Sequence, residues 1–307
     1  MSRVLVTGAG GFVGSHLALG LAKLGYTPLL SDQIFDDDTT LRLRGMERFS
    51  GDVRVLQDQL DASGVHTLDY VIHGAAVTAI PDERGIGAAD YLAESMQVTL
   101  AAVKLAQRYR AKRFILISSA GVFRGAHPAP LDETAQPDGL GAYAVAKQLG
   151  ELATRSLRAA GSLDAVSVRL GNLYGPDEYP RTTRPRLSLI GRLLEEAEQR
   201  TMTVTTPRAL REWTHVADLA PAFARVLEHF GPPDITHLCA PDVVTDAELA
   251  TKLQALVPGT KFVQRPEEGA PPVRPPLESR FAETLGLTHW TPLETGLAEL
   301  VGGSVSA

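Results

Sequence analysis

Short apolar runs alternate with helix-forming stretches through the first 176 residues. That alternation predicts strands and helices in turn, the signature of a parallel sheet covered on both faces. Arg3-Val-Leu-Val-Thr7 reads as a buried strand, followed by Thr7-Gly8-Ala9-Gly10-Gly11-Phe12-Val13-Gly14 and a helix over Ser15–Leu24 that Gly25 stops. Further strands are expected at Thr27–Ser31, Asp52–Gln57, Asp69–Ala76, Arg113–Ser119 and Asp164–Leu170. A long helix is expected over Ala88–Tyr109, and another begins near Tyr143 after a loop at Gly125–Gly141 rich in Pro, Gly and Asp.

The last third has a different texture. Helices are expected over Pro185–Arg200 after a first irregular turn, Val216–Phe230 and Thr245–Val257, with a short strand at Met202–Thr205. Five prolines between Pro266 and Pro276 predict an irregular surface segment. The fold class is therefore α/β: a doubly wound parallel sheet over residues 1–176 and a smaller lobe over 177–307, interleaved with the first.

Composition narrows the function. The 307 residues are 44% hydrophobic and 21% charged, with a net charge of −6 that gives no basis for nucleic-acid binding. Cys239 is the single cysteine, which excludes an intrachain disulfide and a cysteine-based metal cluster. No leader precedes the first strand and no apolar run reaches membrane-span length, so a cytoplasmic enzyme or binding protein is expected.

Strand, glycine turn, helix is the context of a dinucleotide site. Gly8, Gly11 and Gly14 permit a tight turn and let the backbone approach a pyrophosphate at the helix N-terminus. Asp32, at the end of the second strand, suits ribose hydroxyls and repels a 2′-phosphate, so NAD is favoured. Ala75 is among the small residues ending the fourth strand, where a backbone can press on the cofactor, while His73 reads as a packed histidine. Asp36-Asp37-Asp38 reads as a solvated loop and not a metal site.

Tyr143 and Lys147 are one helical turn apart, so an ammonium can lie near the phenol and lower its pKa. A tyrosine tuned this way takes a proton from a hydroxyl while hydride leaves the same carbon. Arg211 is a candidate clamp for a phosphate or carboxylate by its forked geometry. Arg181, Arg184 and Arg186 fall where a substrate lobe should open, as anion ligands or as a solvated loop.

With these parts named, the chain resembles the extended short-chain dehydrogenase/reductase superfamily, and within it the nucleotide-sugar epimerase/dehydratase group. Thr7–Gly14 is similar to the family's cofactor loop, including Phe12 and Val13, and Arg169-Leu-Gly-Asn-Leu-Tyr-Gly-Pro176 to its Arg-x-x-Asn-x-Tyr-Gly-Pro. Ser118-Ser119-Ala-Gly-Val-Phe123 resembles the stretch bearing the catalytic serine, and Arg211-Glu-Trp-Thr-His-Val-Ala-Asp218 its Arg-Asp-Phe-x-x-Val-x-Asp block. The resemblance implies catalysis by Ser119, Tyr143 and Lys147, and NAD contacts from Asp58 and Gln59 on the adenine side and from Leu173. It implies substrate contacts from Ser119, Asn172 and Arg211, no metal, and a homodimer built on the helices over 88–109 and 143–160. Leu92, Met96, Leu149 and Leu152 would supply its apolar seam.

The departures bear on the reaction. Ser119-Ala120-Gly121 stands where sugar 4,6-dehydratases carry Thr-Asp-Glu, so the acid and base for eliminating water are missing. Phe123 replaces a tyrosine, Gln97 an asparagine, and Thr206–Leu210 a glycine-containing approach to Arg211. Three functions follow in order: an NAD-dependent epimerase of a sugar, with a nucleotide-linked substrate; a dehydrogenase or ketoreductase of a sugar or sugar acid; and a non-catalytic NAD-binding sensor.

Overall fold

A computed structural model of the chain describes residues 1–76, 79–125, 127–181, 184–265 and 273–304. The expected proline-rich segment lies outside them as far as residue 272. In chain order the elements are β1 (Arg3–Thr7), α1 (Phe12–Lys23), β2 (Thr27–Asp32), α2 (Asp37–Arg42), β3 (Glu47–Ser50), α3 (Leu56–Ala62) and β4 (Tyr70–His73). Next come α4 (Pro81–Arg84), α5 (Ala88–Arg108), β5 (Arg113–Ser119), α6 (Ala142–Ala159), β6 (Ala165–Leu170) and β7 (Asn172–Tyr174). The remainder is α7 (Leu189–Glu198), β8 (Thr201–Val204), β9 (Leu210–His215), α8 (Leu219–Glu228), β10 (Ile235–Leu238), β11 (Val243–Thr245), α9 (Asp246–Leu256), β12 (Lys261–Gln264) and α10 (Leu293–Ser304).

Seven strands form one sheet in the order β10-β6-β5-β4-β1-β2-β3, and every pairing in it is parallel. The order reverses between β1 and β4, where a crevice opens at the strands' carboxyl ends. Strands buried on both faces must be apolar throughout, and Val4, Leu5, Val6, Val71 and Ile72 are fully buried. One face packs on α1 and α8 through Leu17, Leu21, Phe223 and Val226, and the other on α3 and α5 through Leu56, Leu60, Val103 and Ala106.

The third strand is not where the pattern places it. Val53-Arg-Val55 is a turn of 3₁₀ helix leading into α3, and the strand is Glu47–Ser50. Val53, Leu56 and Leu60 are buried while Val55 is exposed, so the apolar spacing is helical; a short run fits either period. Asp52 sets the turn by accepting a hydrogen bond from the Arg54 amide at 2.8 Å. The acidic triplet also differs from expectation: Asp36 caps α2 through the Thr39 amide at 2.8 Å, and Asp37 and Asp38 occupy its first turn.

Beyond residue 176 the chain does not stay in the smaller lobe. After the lobe strands β8 and β9 it returns: α8 packs on α1, and β10 extends the large sheet beside β6, Ile235 opposite Ser167. The smaller lobe has its own core around Trp213, Ile190, Leu193, Leu249 and Leu297, with a three-stranded sheet (β11-β9-β7) and a parallel pair (β12-β8).

Candidate active site

A cleft of about 890 Å³ runs along the carboxyl edge of the sheet and is walled on its far side by α7 and β9. Its floor at one end is the glycine loop. Gly8 sits at φ +75°, and a Cβ there would lie 2.6 Å from the Gly74 carbonyl carbon; a Cβ on Gly14 would lie 2.0 Å from the Gly8 oxygen. The close approach holds the N-terminus of α1, which no side chain caps, against the cleft, where Phe12 and Val13 line it. Amides at such an end suit a pyrophosphate.

Asp32 lines the cleft at the end of β2 and accepts from the Gly10 amide at 2.8 Å. Burial pushes its carboxyl above the usual range, against the pull of the Gly10, Ile34 and Gln33 amides and Arg181. Ala75 lines the cleft too, its amide held by the Thr7 hydroxyl at 3.3 Å. Asp58 and Gln59 do not line it: they lie on α3, while Asp52 and Val53, just after β3, line the wall at that position. Gln59 instead donates to the Ser50 carbonyl at 3.1 Å and braces that turn. With the third strand at Glu47–Ser50, the acidic residue that lines the cleft just past it is Asp52, which follows Gly51.

At the other end Ser119, Tyr143 and Lys147 line the cleft together. β5 delivers Ser119, whose Oγ accepts from the Gly121 amide at 3.0 Å and hydrogen-bonds Tyr143. Tyr143 and Lys147 lie in the first turns of α6, the ammonium 5.8 Å from the ring centroid, and Lys147 Nζ donates to the Ile117 carbonyl at 2.8 Å. Burial pushes the Tyr143 phenol above its ordinary value, with Ser119 and the Arg184 charge opposing. Burial also lowers Lys147 to about 8, with Glu151 opposing, so the ammonium persists at neutral pH. Beneath it Glu151 binds Arg169 through two hydrogen bonds of 2.8 Å and accepts from Ser118 at 2.6 Å.

The NAD dependent epimerase/dehydratase family model matches residues 4–239. The chain belongs to that family. Over 317 residues it is 24% identical to dTDP-D-glucose 4,6-dehydratase of Bos taurus, covering 97% of this chain and 87% of the relative. Over 333 residues it is 26% identical to UDP-glucose 4-epimerase of Azospirillum brasilense, covering 99% and 91%. The crystal structure of UDP-glucose 4-epimerase from Brucella ovis in complex with NAD superposes with a TM-score of 0.80 at 22% identity, covering 98% of this chain and 96% of that one.

As a member of this family the enzyme uses NAD, and the uncapped α1 terminus, the glycine cradle and Asp32 fit that cofactor. Just past Ser119, Ala120 is buried, and a Cβ on Gly121 would stand 3.2 Å from the Tyr143 ring. Leu173 and Asn172 line the cleft on β7, with Asn172 held by Glu212 through its amide at 3.2 Å and its side chain at 3.4 Å. Arg211 lines the cleft, but its fork is engaged by buried Asp246, from Nε at 2.7 Å and Nη2 at 3.1 Å. Arg181 turns back onto the glycine loop, bonding the Gly10 carbonyl and the Thr39 hydroxyl. Arg84, Tyr91, Arg192 and Trp213 also line the cleft; their scattered sequence positions carried no local signal.

Proposed function

We propose that the enzyme epimerises a nucleotide sugar by transient oxidation at a hydroxyl-bearing carbon. The observation that carries this is Ser119, Tyr143 and Lys147 gathered at one end of the cleft, with Ala120 and Gly121 leaving no acid–base pair for dehydration. Tyr143 takes the hydroxyl proton and later returns it, Ser119 hydrogen-bonds the oxygen as carbonyl character develops, and Lys147 keeps a positive charge beneath both. When bound, NAD supplies hydride acceptance and return, and the charge of its oxidised ring favours the phenolate. Asp32, Asp52 and the glycine loop hold the cofactor, while Asn172 and the free side of Arg211 face the substrate.

The test is a panel of uridine-, thymidine- and guanosine-diphosphate sugars given to the purified enzyme. Isomer formation without net change in nicotinamide absorbance is expected; stoichiometric NADH build-up would overturn epimerisation in favour of a released-cofactor dehydrogenase. Tyr143→Phe should cut turnover by about 10²–10⁴-fold with NAD still bound. Wild-type turnover in that variant would remove the tyrosine from the mechanism.

We also propose a cytoplasmic homodimer. No described helix is long and apolar enough to cross a membrane. α5 and α6 pack together; of the expected seam Leu149 and Leu152 are exposed and Leu92 and Met96 half-buried, and with exposed Leu100 they offer apolar surface to a second copy. Sedimentation should give a dimer that Leu152→Glu shifts toward monomer; a wild-type monomer would refute the interface.

A further inference from the structure

Beside Tyr143 a smaller recess of about 260 Å³ branches from the cleft, lined by Glu83, Tyr143, Arg184, Pro185 and Arg186. Its charges are unequal. Arg186 is neutralised by Glu83 at 2.6 Å, whereas Arg184 offers only one side of its fork to a partner, Nη2 to Glu178 at 2.6 Å. Glu178 is itself shared with the Ser188 amide at 2.8 Å and hydroxyl at 2.7 Å, which fixes the guanidinium in place 5.5 Å from the Phe12 ring centroid. Arg184 Nη1 is buried and has no hydrogen-bond partner. The Arg184 side chain as a whole is 32% exposed, and a cationic donor without a protein acceptor on the wall of a cleft can take one that arrives with a ligand.

Arg184 and Tyr143 line both the cleft and the recess, so an occupant of the recess lies next to the reacting hydroxyl. On a hexose bound for oxidation at carbon 4, the groups there are the substituents of the neighbouring carbons, whereas the diphosphate on carbon 1 lies across the ring. We propose that the recess binds a carboxylate carried by the sugar beside its reacting carbon, with Arg184 as the residue that selects it, and that the substrate is a nucleotide-linked sugar acid. This rests on the epimerase reading for the reaction, but the binding preference stands apart from it.

The test is calorimetric binding to the NAD-loaded enzyme of uridine- and thymidine-diphosphate glucuronate, each against the matching glucose conjugate, with the free nucleoside diphosphates as a third arm. The wild type should bind the glucuronate at least about tenfold more tightly, the scale of one charge-assisted hydrogen bond. Arg184→Met should erase that preference and Arg184→Lys should keep part of it, while affinity for the free nucleoside diphosphate and for NAD moves far less. Equal affinity for acid and neutral sugar, or no binding of either, overturns the inference. So does an Arg184→Met defect that falls on the nucleoside diphosphate, which assigns Arg184 to the substrate diphosphate, or on NAD, which assigns it to the cofactor. A kept preference without epimerisation would sink the reaction proposed above and leave this site standing.

Discussion

Lys147 stands under two opposing influences: burial disfavours its ammonium, and Glu151 one turn along the helix restores part of what burial takes away. With its value brought down to about 8, the side chain is charged at pH 7 and loses its proton as pH rises through 8. If the ammonium holds the cofactor ribose, NAD affinity should be full below that point and fall about tenfold above it, in a one-proton step. Fluorescence titration of NAD between pH 6.5 and about 9.5 checks this, against a Lys147→Met variant whose weaker affinity should not vary with pH; a flat wild-type profile would remove the charge from cofactor binding. The spacing of Tyr143 and Lys147 was legible because a helix puts residues four apart on one face. The direction of the phenol's shift was not, because it depends on how much protein covers the ring.

At the level of elements, the strands buried on both faces were readable from their unbroken apolar runs, and β1, β4, β5 and β6 lie at or within two residues of the expected starts. β3 was misplaced because Val53-Arg-Val-Leu56 satisfies a strand period over four residues and a helix period over eight. β10 gave too little pattern in Ile235-Thr-His-Leu238 and is a strand because β6 supplies its partners. α6 is tied to β6 by the Glu151–Arg169 pair, whose side chains are 3% and 1% exposed. Glu151→Gln leaves Arg169 charged, buried and short of its partner, a loss of about 3–5 kcal/mol on the scale of broken buried pairs. Urea denaturation measures it, and a change below about 1 kcal/mol would mean that His237, 3.4 Å from Arg169, or water takes over the charge. The same variant should move the pH midpoint of NAD binding downward, since Glu151 supports the Lys147 ammonium.

For the whole molecule, the two lobes share one chain path, because α8 and β10 return to the large sheet after the lobe strands β8 and β9. The fold also buries basic groups that resist protonation: burial, aided by the Lys147 charge, lowers His73 to about 3, and burial with Arg42 lowers His16 to about 4. An unfolded histidine titrates near 6.5, so below that pH the unfolded chain binds more protons than the folded one. The stability that neutral His73 and His16 contribute is therefore complete above about pH 6.5 and is lost progressively as pH falls toward their folded values. Denaturation midpoints at pH 7 and about 4.5 should differ, and His73→Gln should reduce the difference; an unchanged slope would place the acid sensitivity elsewhere. The sequence alone determined the sheet class, the glycine loop, Asp32 and the Tyr143–Lys147 pair, because each rests on periodicity or on a turn formed by neighbours in the chain. Only the tertiary structure decided that Asp52 and not Asp58 lines the cleft, that Asp246 occupies the fork of Arg211, and that Arg184 keeps a buried donor unpaired beside Tyr143. Burial and the partner a charge meets are set by residues far apart in the chain, and no local pattern carries them.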